Sequence, residues 1–263
     1  MKQLEKKNRA CLCGIEFFKG DAEACLALLE GRMKEGKQTL LYTPNPIMLE
    51  NAMRHADFHV ALERADINLP DGIGVCMAAK LLGQPIPRRL SGIDMAKCVL
   101  MLAREKSYRV FLFGGQPGVA NQAAERLVAS LPQLEICGVR DGFFEETETD
   151  EILRAICASR ADVLFVCLGS PKQELWIDKN HDRLPNVRLF MALGGTLDVF
   201  AGRVKRAPRF MQKAGLEWLF RMLNEPRRFR DVPKLISFSG RILAKAPKKL
   251  VIMHREKSQK KTF

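Results

Sequence analysis

The hydrophobic pattern of the chain predicts short buried strands that alternate with amphipathic helices. Four apolar runs recur at intervals of roughly 25 residues, which is the rhythm of repeated strand and helix units. The predicted strands cover residues 39–43, a short run ending at Leu69, and residues 109–113, 134–139, 163–168 and 187–193. Apolar stripes at helical spacing predict helices near residues 47–55 and 75–82 and between the later strands. We therefore predict an α/β protein with a mostly parallel sheet flanked by helices.

Glycine-rich segments follow three of the predicted strands. Because parallel strands place their carboxyl ends along one edge of a sheet, these segments should line one crevice. Bare backbone can approach phosphate oxygens closely there, and the free N–H groups of a helix start attract anions. The glycines that we expect to bind such a substrate are Gly114, Gly115, Gly194 and Gly195. The GGQPG segment at 114–118 does not match the dinucleotide-binding pattern G-x-G-x-x-G. Asp141 nevertheless follows the next strand, where a dehydrogenase has its ribose-binding acid, so a dehydrogenase stays an alternative.

Residues 164–176, LFVCLGSPKQELW, combine a strand end, a glycine and a helix start. We expect the helix to begin near Lys172, with Pro171 in its first turn, where the missing N–H costs nothing. The charge of Lys172 would favour an anion, while Gln173 and Glu174 offer hydrogen-bonding groups at the carboxyl end of the strand. An ordinary strand-to-helix turn explains the same pattern.

Asp71 is the candidate general base. It lies between Pro70 and Gly72 in a loop that enters a helix, so its carboxylate is expected at a strand end, exposed and held by its neighbours. A helix cap or an Asp-Gly turn is the alternative role. Thr43 and Asn45 leave an earlier strand and are expected to add neutral hydrogen bonds to substrate, with turn formation between two prolines as their alternative.

The sequence offers little support for metal catalysis. Among the four histidines, His55 and His59 are one helical turn apart but have no third ligand nearby, and no Asp-x-Asp pair offers a seat for magnesium. We therefore expect no metal and no cofactor, so the charge of a nucleotide diphosphate would fall to helix N-termini and arginines. The candidate arginines are Arg88 and Arg89 after the Asp71 helix and Arg206, Arg221, Arg227, Arg228 and Arg230 in the last quarter.

Cysteine usage and hydropathy both indicate a cytosolic protein. The eight cysteines lie mostly in apolar segments and form no C-x-x-C pair, so we expect reduced core residues. No apolar run reaches the roughly 18 to 20 residues that span a bilayer. The first residues also lack the apolar stretch of a secretory signal.

The excess positive charge is concentrated in the last quarter of the chain. Residues 203–263 hold 18 Lys and Arg against 4 Asp and Glu, whereas residues 1–202 are nearly neutral. We therefore divide the chain into a core, residues 1–202, and a basic helical appendage, residues 203–263. Basic and large apolar residues alternate at helical spacing between Pro233 and Pro247. This pattern is typical of a helix in the headgroup layer of an anionic membrane, with a helix docked on the core or a nucleic-acid partner as alternatives.

Six motifs together resemble the WecG/TagA/CpsF glycosyltransferases in order and spacing, from about Thr39 to Arg230. They are PDGIG at 70–74, RLSGID at 89–94, FGGQPG at 113–118, GSPKQE at 169–174, RAP at 206–208, and GLEWLFR at 215–221 with EP at 225–226. The resemblance implies a Rossmann-like core and an appendage that closes over the site at the membrane. It also implies an inverting, metal-independent transfer of a sugar from a UDP-sugar to a lipid-diphosphate-linked sugar at the cytosolic face.

The resemblance also assigns individual roles. The family's catalytic base falls on Asp71, its active-site threonine on Thr43, its motif arginine on Arg89 and its active-site glutamine on Gln173. Its appendage arginines fall on Arg221 and on the cluster Arg227, Arg228 and Arg230, where the spacing does not say which one reaches the diphosphate.

TagA-like members transfer N-acetylmannosamine onto undecaprenyl-diphosphate N-acetylglucosamine to begin the linkage unit of wall teichoic acid, so we expect this donor sugar. Another UDP-hexose or UDP-uronic acid, transferred to a lipid-linked exopolysaccharide intermediate, is the alternative. The expected partners are the UDP-sugar, the polyprenyl-diphosphate-linked acceptor and an anionic membrane surface, without nucleic acid, and a homo-oligomer is left open. A noncatalytic nucleotide- or nucleic-acid-binding module is the alternative outside enzymes.

Overall fold

The computed structural model describes residues 9–246. A β-hairpin, β1 (Arg9–Leu12) and β2 (Ile15–Phe18), precedes a six-stranded parallel sheet. The strands of this sheet are β3 (Thr39–Tyr42), β4 (Ile67–Asn68), β5 (Val110–Gly114), β6 (Ile136–Arg140), β7 (Val163–Cys167) and β8 (Leu189–Ala192). Their spatial order is β4-β3-β8-β7-β5-β6. The predicted α/β class with a Rossmann-like parallel sheet is confirmed.

Helices follow most of the strands. Those of the core are α1 (Ala22–Lys34), α2 (Pro46–Ala52), α3 (Ala56–Arg64), α4 (Ile73–Leu81), α5 (Gly92–Lys106), α6 (Val119–Ser130), α7 (Thr149–Ala158), α8 (Lys172–Asn180) and α9 (Thr196–Phe200). Short 3₁₀ turns cover Glu146–Glu148 and His181–Arg183. The helices of the appendage are α10 (Arg209–Lys213), α11 (Glu217–Asn224) and α12 (Val232–Lys245), with a 3₁₀ turn at Pro226–Asp231.

Both faces of the sheet are buried, which explains the continuous apolar runs in its strands. Successive residues of β7 point to opposite faces: Leu164 and Val166 pack in one hydrophobic cluster, Val163 and Phe165 in the other. Helices α2 and α8 contribute to the first cluster, and α6 and α9 to the second. Because the helices that follow neighbouring strands lie on opposite faces, crevices open between the strand ends, for example between β5 and β7.

The predicted strands are confirmed to within two residues at either end. The helix predicted near residues 47–55 ends early, at Ala52: the Arg54 N–H bonds to the Asn51 carbonyl only three residues back, and the backbone of His55 is extended (φ −127°, ψ 106°). Helix α8 begins at Lys172 as predicted, but Pro171 precedes its first residue, and the Ser170–Pro171 peptide bond is cis. The hairpin, α1 and α5 have no counterpart among the predicted elements.

The cysteines differ in part from the prediction. All eight are free thiols. Only Cys25 and Cys167 are buried, while Cys11 is exposed and the others are partly covered. Five of the others, Cys13, Cys76, Cys98, Cys137 and Cys157, pack against the two hydrophobic clusters. The prediction of a core position fails for Cys11, because apolar neighbours in sequence do not reveal which face of β1 a residue occupies.

The appendage is docked on the core through α12. Phe238 and Ile242 enter the first hydrophobic cluster, whereas Ile236 and Leu243 are exposed by 68% and 55%. The helix also contacts a buried carboxylate of α2, because the Ser237 hydroxyl donates a hydrogen bond of 2.8 Å to Glu50 Oε1. Within residues 9–246, no helix combines the length and apolarity needed to cross a membrane. Residues 247–263, which complete the predicted basic tail, lie outside the described residues.

Candidate active site

The Asp71 carboxyl lies where the chain leaves β4 and enters α4. The backbone on both sides is fixed, because the Asp71 N–H donates to the Pro44 carbonyl at 3.3 Å and the Leu90 N–H donates to the Pro70 carbonyl at 3.0 Å. Gly72 (φ +93°) occupies the N-cap position of α4, and no side chain caps this helix. The alternative role of Asp71 as a helix cap is therefore not what the structure shows. Its carboxylate is half-buried and lines a cavity.

This cavity, of about 550 Å³, is a groove between α4 and the appendage. Ile73, Met77 and Leu81 line it at successive turns of α4, so it extends roughly 12 Å along that helix, away from Asp71. The opposite wall is also apolar and includes Trp218, Leu235, Ile242 and Leu243. The polar lining includes Asn45, Asp71, Arg89, Ser91, Arg221 and Arg228. A ligand with a charged group and a long apolar part matches this combination.

The environment of Asp71 favours a general base. Burial, together with the nearby carboxylates of Glu217 and Asp94, raises the pKa of its carboxyl to about 6 against the pull of Arg221 and Arg89. A group with this pKa is ionised at pH 7 and still has appreciable affinity for a proton, as general-base catalysis requires.

Arg89 lines the cavity and is held by the appendage. Its Nη2 donates to the Gln212 carbonyl at 2.7 Å, and its Nη1 lies 3.5 Å from Glu217 Oε2. Arg206 is placed differently. It forms two hydrogen bonds to Asp94, of 2.5 and 2.7 Å, and a third of 3.1 Å to Glu217, and it does not line the cavity. In this arrangement Arg206 joins the appendage to α5.

The remaining predicted arginines are only partly gathered at the cavity. Arg221 of α11 lines it and lowers the pKa of Asp71 by its charge. Arg228 also lines it, while its Nε donates to Glu225 at 2.7 Å. Arg230 is exposed and is not part of the lining. The side chain of Arg227 lies outside the part of the chain that the structure describes.

Thr43 and Asn45 leave β3 next to this site. The Thr43 hydroxyl, almost fully buried, donates to the Ala192 carbonyl at 3.3 Å and so ties the end of β3 to the end of β8. Asn45 lines the cavity, and its Oδ1 accepts the N–H groups of Ile47 and Met48 at 3.0 and 3.1 Å. Asn45 is therefore the N-cap of α2, the turn role that the sequence left open, while its amide nitrogen has no described hydrogen-bond partner.

The glycine-rich segments that follow β5 and β8 lie farther along the same edge of the sheet. Gly114 has φ +133°, and a Cβ there would overlap the Cys167 carbonyl, so only glycine permits β5 and β7 to approach so closely. Gly115 follows with its N–H donating to the same carbonyl at 3.1 Å. At the end of β8, the Gly194 N–H donates to Gln173 Oε1 at 2.8 Å, and Gly195 precedes α9.

Gln173 and Glu174 are both buried, exposed by 3% and 0%. Gln173 Nε2 donates to Glu174 Oε1 at 2.6 Å, so both ends of the Gln173 amide have partners within the protein. Burial raises the pKa of Glu174 to about 7. Lys172 instead points to the loop after β6, where its Nζ donates to the Gly142 carbonyl at 3.3 Å and lies 4.1 Å from the Phe144 ring centroid. Among residues 9–246, no group of three His, Cys, Asp or Glu side chains is arranged so that it could hold a metal ion.

Glu217 and Trp218 also line the cavity, although the sequence predicted no role for them. They lie in the GLEWLFR motif beside Arg221, which was the signal available. A single acidic or aromatic residue at a helix start is too common to single out, and their importance depends on contacts with Arg89 and α4 that are remote in sequence.

The sequence of this chain matches known proteins over most of its length. The Glycosyl transferase WecG/TagA/CpsF family matches residues 10–250. A protein of Bacillus spizizenii strain W23, named N-acetylglucosaminyldiphosphoundecaprenol N-acetyl-beta-D-mannosaminyltransferase, is 38% identical over 227 residues, which cover 85% of this chain and 87% of the relative. A protein of Bacillus subtilis strain 168 with the same name is 31% identical over 224 residues, which cover 85% and 82%.

The extent of these matches decides between the alternatives raised by the sequence. A glycosyltransferase family that spans nearly the whole chain leaves no place for a dehydrogenase or a noncatalytic binding module. The chain therefore belongs to the glycosyl transferase WecG/TagA/CpsF family and is a glycosyltransferase.

Proposed function

We propose that this chain transfers N-acetylmannosamine from a UDP-sugar to N-acetylglucosamine carried on undecaprenyl diphosphate, with inversion at the anomeric carbon. The observation that carries the proposal is the Asp71 carboxyl at one end of a groove with apolar walls. The names of both Bacillus relatives contain the same acceptor and the same sugar. The product would begin the linkage unit of a wall teichoic acid.

In this reaction Asp71 is the general base. It takes the proton from the acceptor hydroxyl as the hydroxyl oxygen attacks the anomeric carbon. The new glycosidic bond forms while the bond from that carbon to the diphosphate oxygen breaks, and the electron pair leaves with UDP. Because the attack comes opposite the leaving group, the anomeric configuration inverts.

The arginines at the cavity compensate phosphate charge. Arg89, Arg221 and Arg228 line the same groove as Asp71 and suit either the departing UDP or the diphosphate of the acceptor. Arg206, paired with Asp94 and Glu217, contributes by holding the appendage in place.

The apolar groove suits the start of a polyprenyl chain. Met77, Trp218 and Leu243 line it and are exposed by 58%, 47% and 55%. A cavity of about 550 Å³ is far too small for a whole undecaprenyl chain, so most of the lipid would remain in the bilayer. We propose that this side of the appendage, with exposed Ile236 and Arg241, rests on an anionic membrane surface.

The crevice between the other strand ends is our proposed donor site. Gly114 and Gly115 precede the N-terminus of α6, and Gly194 and Gly195 precede α9. The N–H groups of Gly115 and Gly194 already have partners within the protein, so the diphosphate of a UDP-sugar would bind to other backbone N–H groups of these segments. Thr43, at the end of β3, lies between this crevice and the groove, whereas Gln173, after β7, lies between the two glycine segments.

A lipid-linked acceptor assay tests the proposal. The purified full chain is incubated with undecaprenyl-diphosphate N-acetylglucosamine and, in separate reactions, with UDP-N-acetylmannosamine, its uronic acid and other UDP-hexoses, each with and without EDTA. Transfer of N-acetylmannosamine alone, unaffected by EDTA, is the expected result. Preference for another sugar would replace the donor assignment, and strict magnesium dependence would overturn the metal-independent mechanism.

A further inference from the structure

Glu217 is a nearly buried carboxylate between two arginines, with 8% of the residue exposed. It opens α11, and its Oε1 accepts from Arg206 Nε at 3.1 Å while its Oε2 lies 3.5 Å from Arg89 Nη1. A buried charge is stable only when such partners compensate the loss of water. The two arginines come from different parts of the chain, since Arg89 belongs to the core and Arg206 to the appendage.

Arg89 depends on the appendage for its described contacts. Its guanidinium bonds to the Gln212 carbonyl and pairs with Glu217, both of them appendage residues. The same guanidinium lines the groove that contains Asp71. Without the docked appendage, Arg89 would lose both contacts that hold it at this groove.

We propose that Glu217 is a positioning residue, which holds Arg89 at the groove and thereby couples docking of the appendage to assembly of the Asp71 site. The role in catalysis rests on the proposed function, because it presumes that Asp71 and Arg89 serve the transfer reaction. The placement of Arg89 by Glu217 is a property of the protein alone.

The charge of Glu217 also acts on Asp71. The charged and titratable groups around Asp71 are Arg221 and Glu217 of α11, Arg89, Asp94 of α5 and the Cys76 thiol of α4, with Arg228 and Asp231 on the same cavity. Burial and the two carboxylates raise the pKa of Asp71, and the two arginines closest to it lower that pKa. Removing the charge of Glu217 should therefore lower the pKa of Asp71, whereas a displaced Arg89 would no longer lower it, so the two effects of replacing Glu217 are opposite in sign.

The test compares three variants of the full chain, with Glu217→Gln also made in an Arg89→Gln background. Glu217→Gln keeps the size of the side chain and removes its charge, and Glu217→Asp keeps the charge. Glu135→Gln is the control, because Glu135 also pairs with an arginine, Arg109, but lies at the amino end of β6 and is not among the groups that shift the pKa of Asp71. The measurements are kcat and kcat/KM against pH, and the titration of Asp71 by carboxyl carbon NMR, assigned with Asp71→Asn.

We expect Glu217→Gln to lower kcat roughly tenfold, the scale of one charge-assisted hydrogen bond. In the otherwise wild-type chain the lost charge and a displaced Arg89 shift the Asp71 titration in opposite directions, whereas in an Arg89→Gln background only the lost charge acts. Glu217→Gln should therefore lower the midpoint of the Asp71 titration more in the Arg89→Gln background than in the otherwise wild-type chain. Glu217→Asp should retain the wild-type titration, and so should Glu135→Gln. Equal shifts in the two backgrounds, or a shift in Glu135→Gln, would overturn the proposal.

The NMR titration separates this inference from the proposed function. If the wild-type chain fails to transfer sugar to the lipid acceptor while the Glu217→Gln shift still differs between the two backgrounds, the placement of Arg89 by Glu217 stands and the proposed reaction falls. If transfer is normal and the two shifts are equal, the proposed reaction stands and the role of Glu217 falls.

Discussion

Gln173 Oε1 accepts a hydrogen bond of 2.8 Å from the backbone N–H of Gly194, which ties the exit of β7 to the exit of β8. The opposite end of the same amide donates to Glu174 at 2.6 Å. Gln173 therefore braces two loops that border the proposed donor crevice. A sugar or nucleotide that contacts this amide would share it with the protein.

Replacement of Gln173 by Leu removes this brace. The Gly194 N–H and a buried oxygen of Glu174 would lose their partner, and each such loss costs about 1 to 3 kcal/mol. We expect the free energy of unfolding, measured in urea, to fall by that order and the KM for the UDP-sugar to rise. The control is Glu174→Gln, which still offers an oxygen to Gln173 Nε2 and should leave KM close to wild type. Equal KM values in the Leu variant and wild type would argue against a brace at the donor site.

Asp71→Asn should remove the proton acceptor of the reaction. The expected loss in kcat is roughly 100 to 10,000-fold, the usual contribution of a positioned general base. Binding of the UDP-sugar, followed by calorimetry, should persist because we place the donor at the glycine-rich segments rather than at Asp71. Near-normal turnover in this variant would refute the assignment of Asp71.

The raised pKa of Asp71 predicts the pH dependence of the wild-type enzyme. Since burial raises this pKa to about 6, the base is protonated and inactive at lower pH. We expect kcat/KM to fall tenfold for each pH unit well below about 6, as the fraction of ionised base declines. A profile that stays flat down to pH 5 would contradict this prediction.

The same group makes stability depend on pH in the opposite sense to activity. The folded protein binds the Asp71 proton more tightly than the unfolded chain, whose ordinary pKa is 3.8. The stability contributed by the protonated carboxyl is therefore complete below pH 3.8 and is lost as the pH rises to about 6 and above. At pH 7.5 we expect Asp71→Asn to raise the free energy of unfolding by about 1 to 3 kcal/mol in urea titrations. Equal stability of the two proteins at that pH would indicate that the carboxyl is not destabilised by its site.

The hydrogen bond from Ser237 to Glu50 contributes to the docking of the appendage on the core. Burial pulls the pKa of Glu50 upward, but hydrogen bonds from Ser237 and Arg54 and the charge of Arg241 hold it below its usual value. Ser237→Ala should weaken the docking of α12 by about 1 kcal/mol, the net worth of one hydrogen bond. Limited proteolysis should then cut the appendage faster. Ser239→Ala is the matched control, because the Ser239 hydroxyl bonds only within α12, to the Leu235 carbonyl.

The exposed apolar residues of α12 predict membrane binding. Ile236 and Leu243 are mostly exposed although both are large and apolar. Replacing both by Asp should reduce binding to anionic vesicles in a sedimentation assay severalfold, since it removes apolar contact and adds negative charge near the lipid surface. Val128→Asp, an exposed position on α6, should bind as wild type does. Retained binding by the α12 double variant would place the membrane contact elsewhere.

The parts of the site that the sequence predicted are those encoded by local geometry. Asp71 and Gln173 each follow a predicted strand, and the parallel arrangement puts such residues on one edge of the sheet. The arginines were harder to place: the resemblance assigned a role to Arg89 and none to Arg206, but the local sequence does not say what either residue contacts. Contacts from distant residues decide this, since Arg206 pairs with Asp94 and Arg89 faces the groove.

The basic appendage is a second case in which the local sequence predicts an element but not its contacts. Its apolar stripe predicted a helix, and α12 is that helix, but the stripe does not say what covers it. The structure divides the stripe: Phe238 and Ile242 pack into the core, while Ile236 and Leu243 stay exposed. The docked alternative thus describes one side of α12, and the proposed membrane contact uses another.

The sequence by itself determined the α/β class, the strands, the concentration of basic charge in the last quarter and the family, because hydrophobic period, glycine-rich segments and charge are local properties of the chain. Only the tertiary structure decided that Glu217 joins Arg89 to Arg206 and that α4 and α12 enclose a groove beside Asp71. Those features arise where segments more than 100 residues apart meet, and a pKa or a buried ion pair exists only once both partners are brought together away from water.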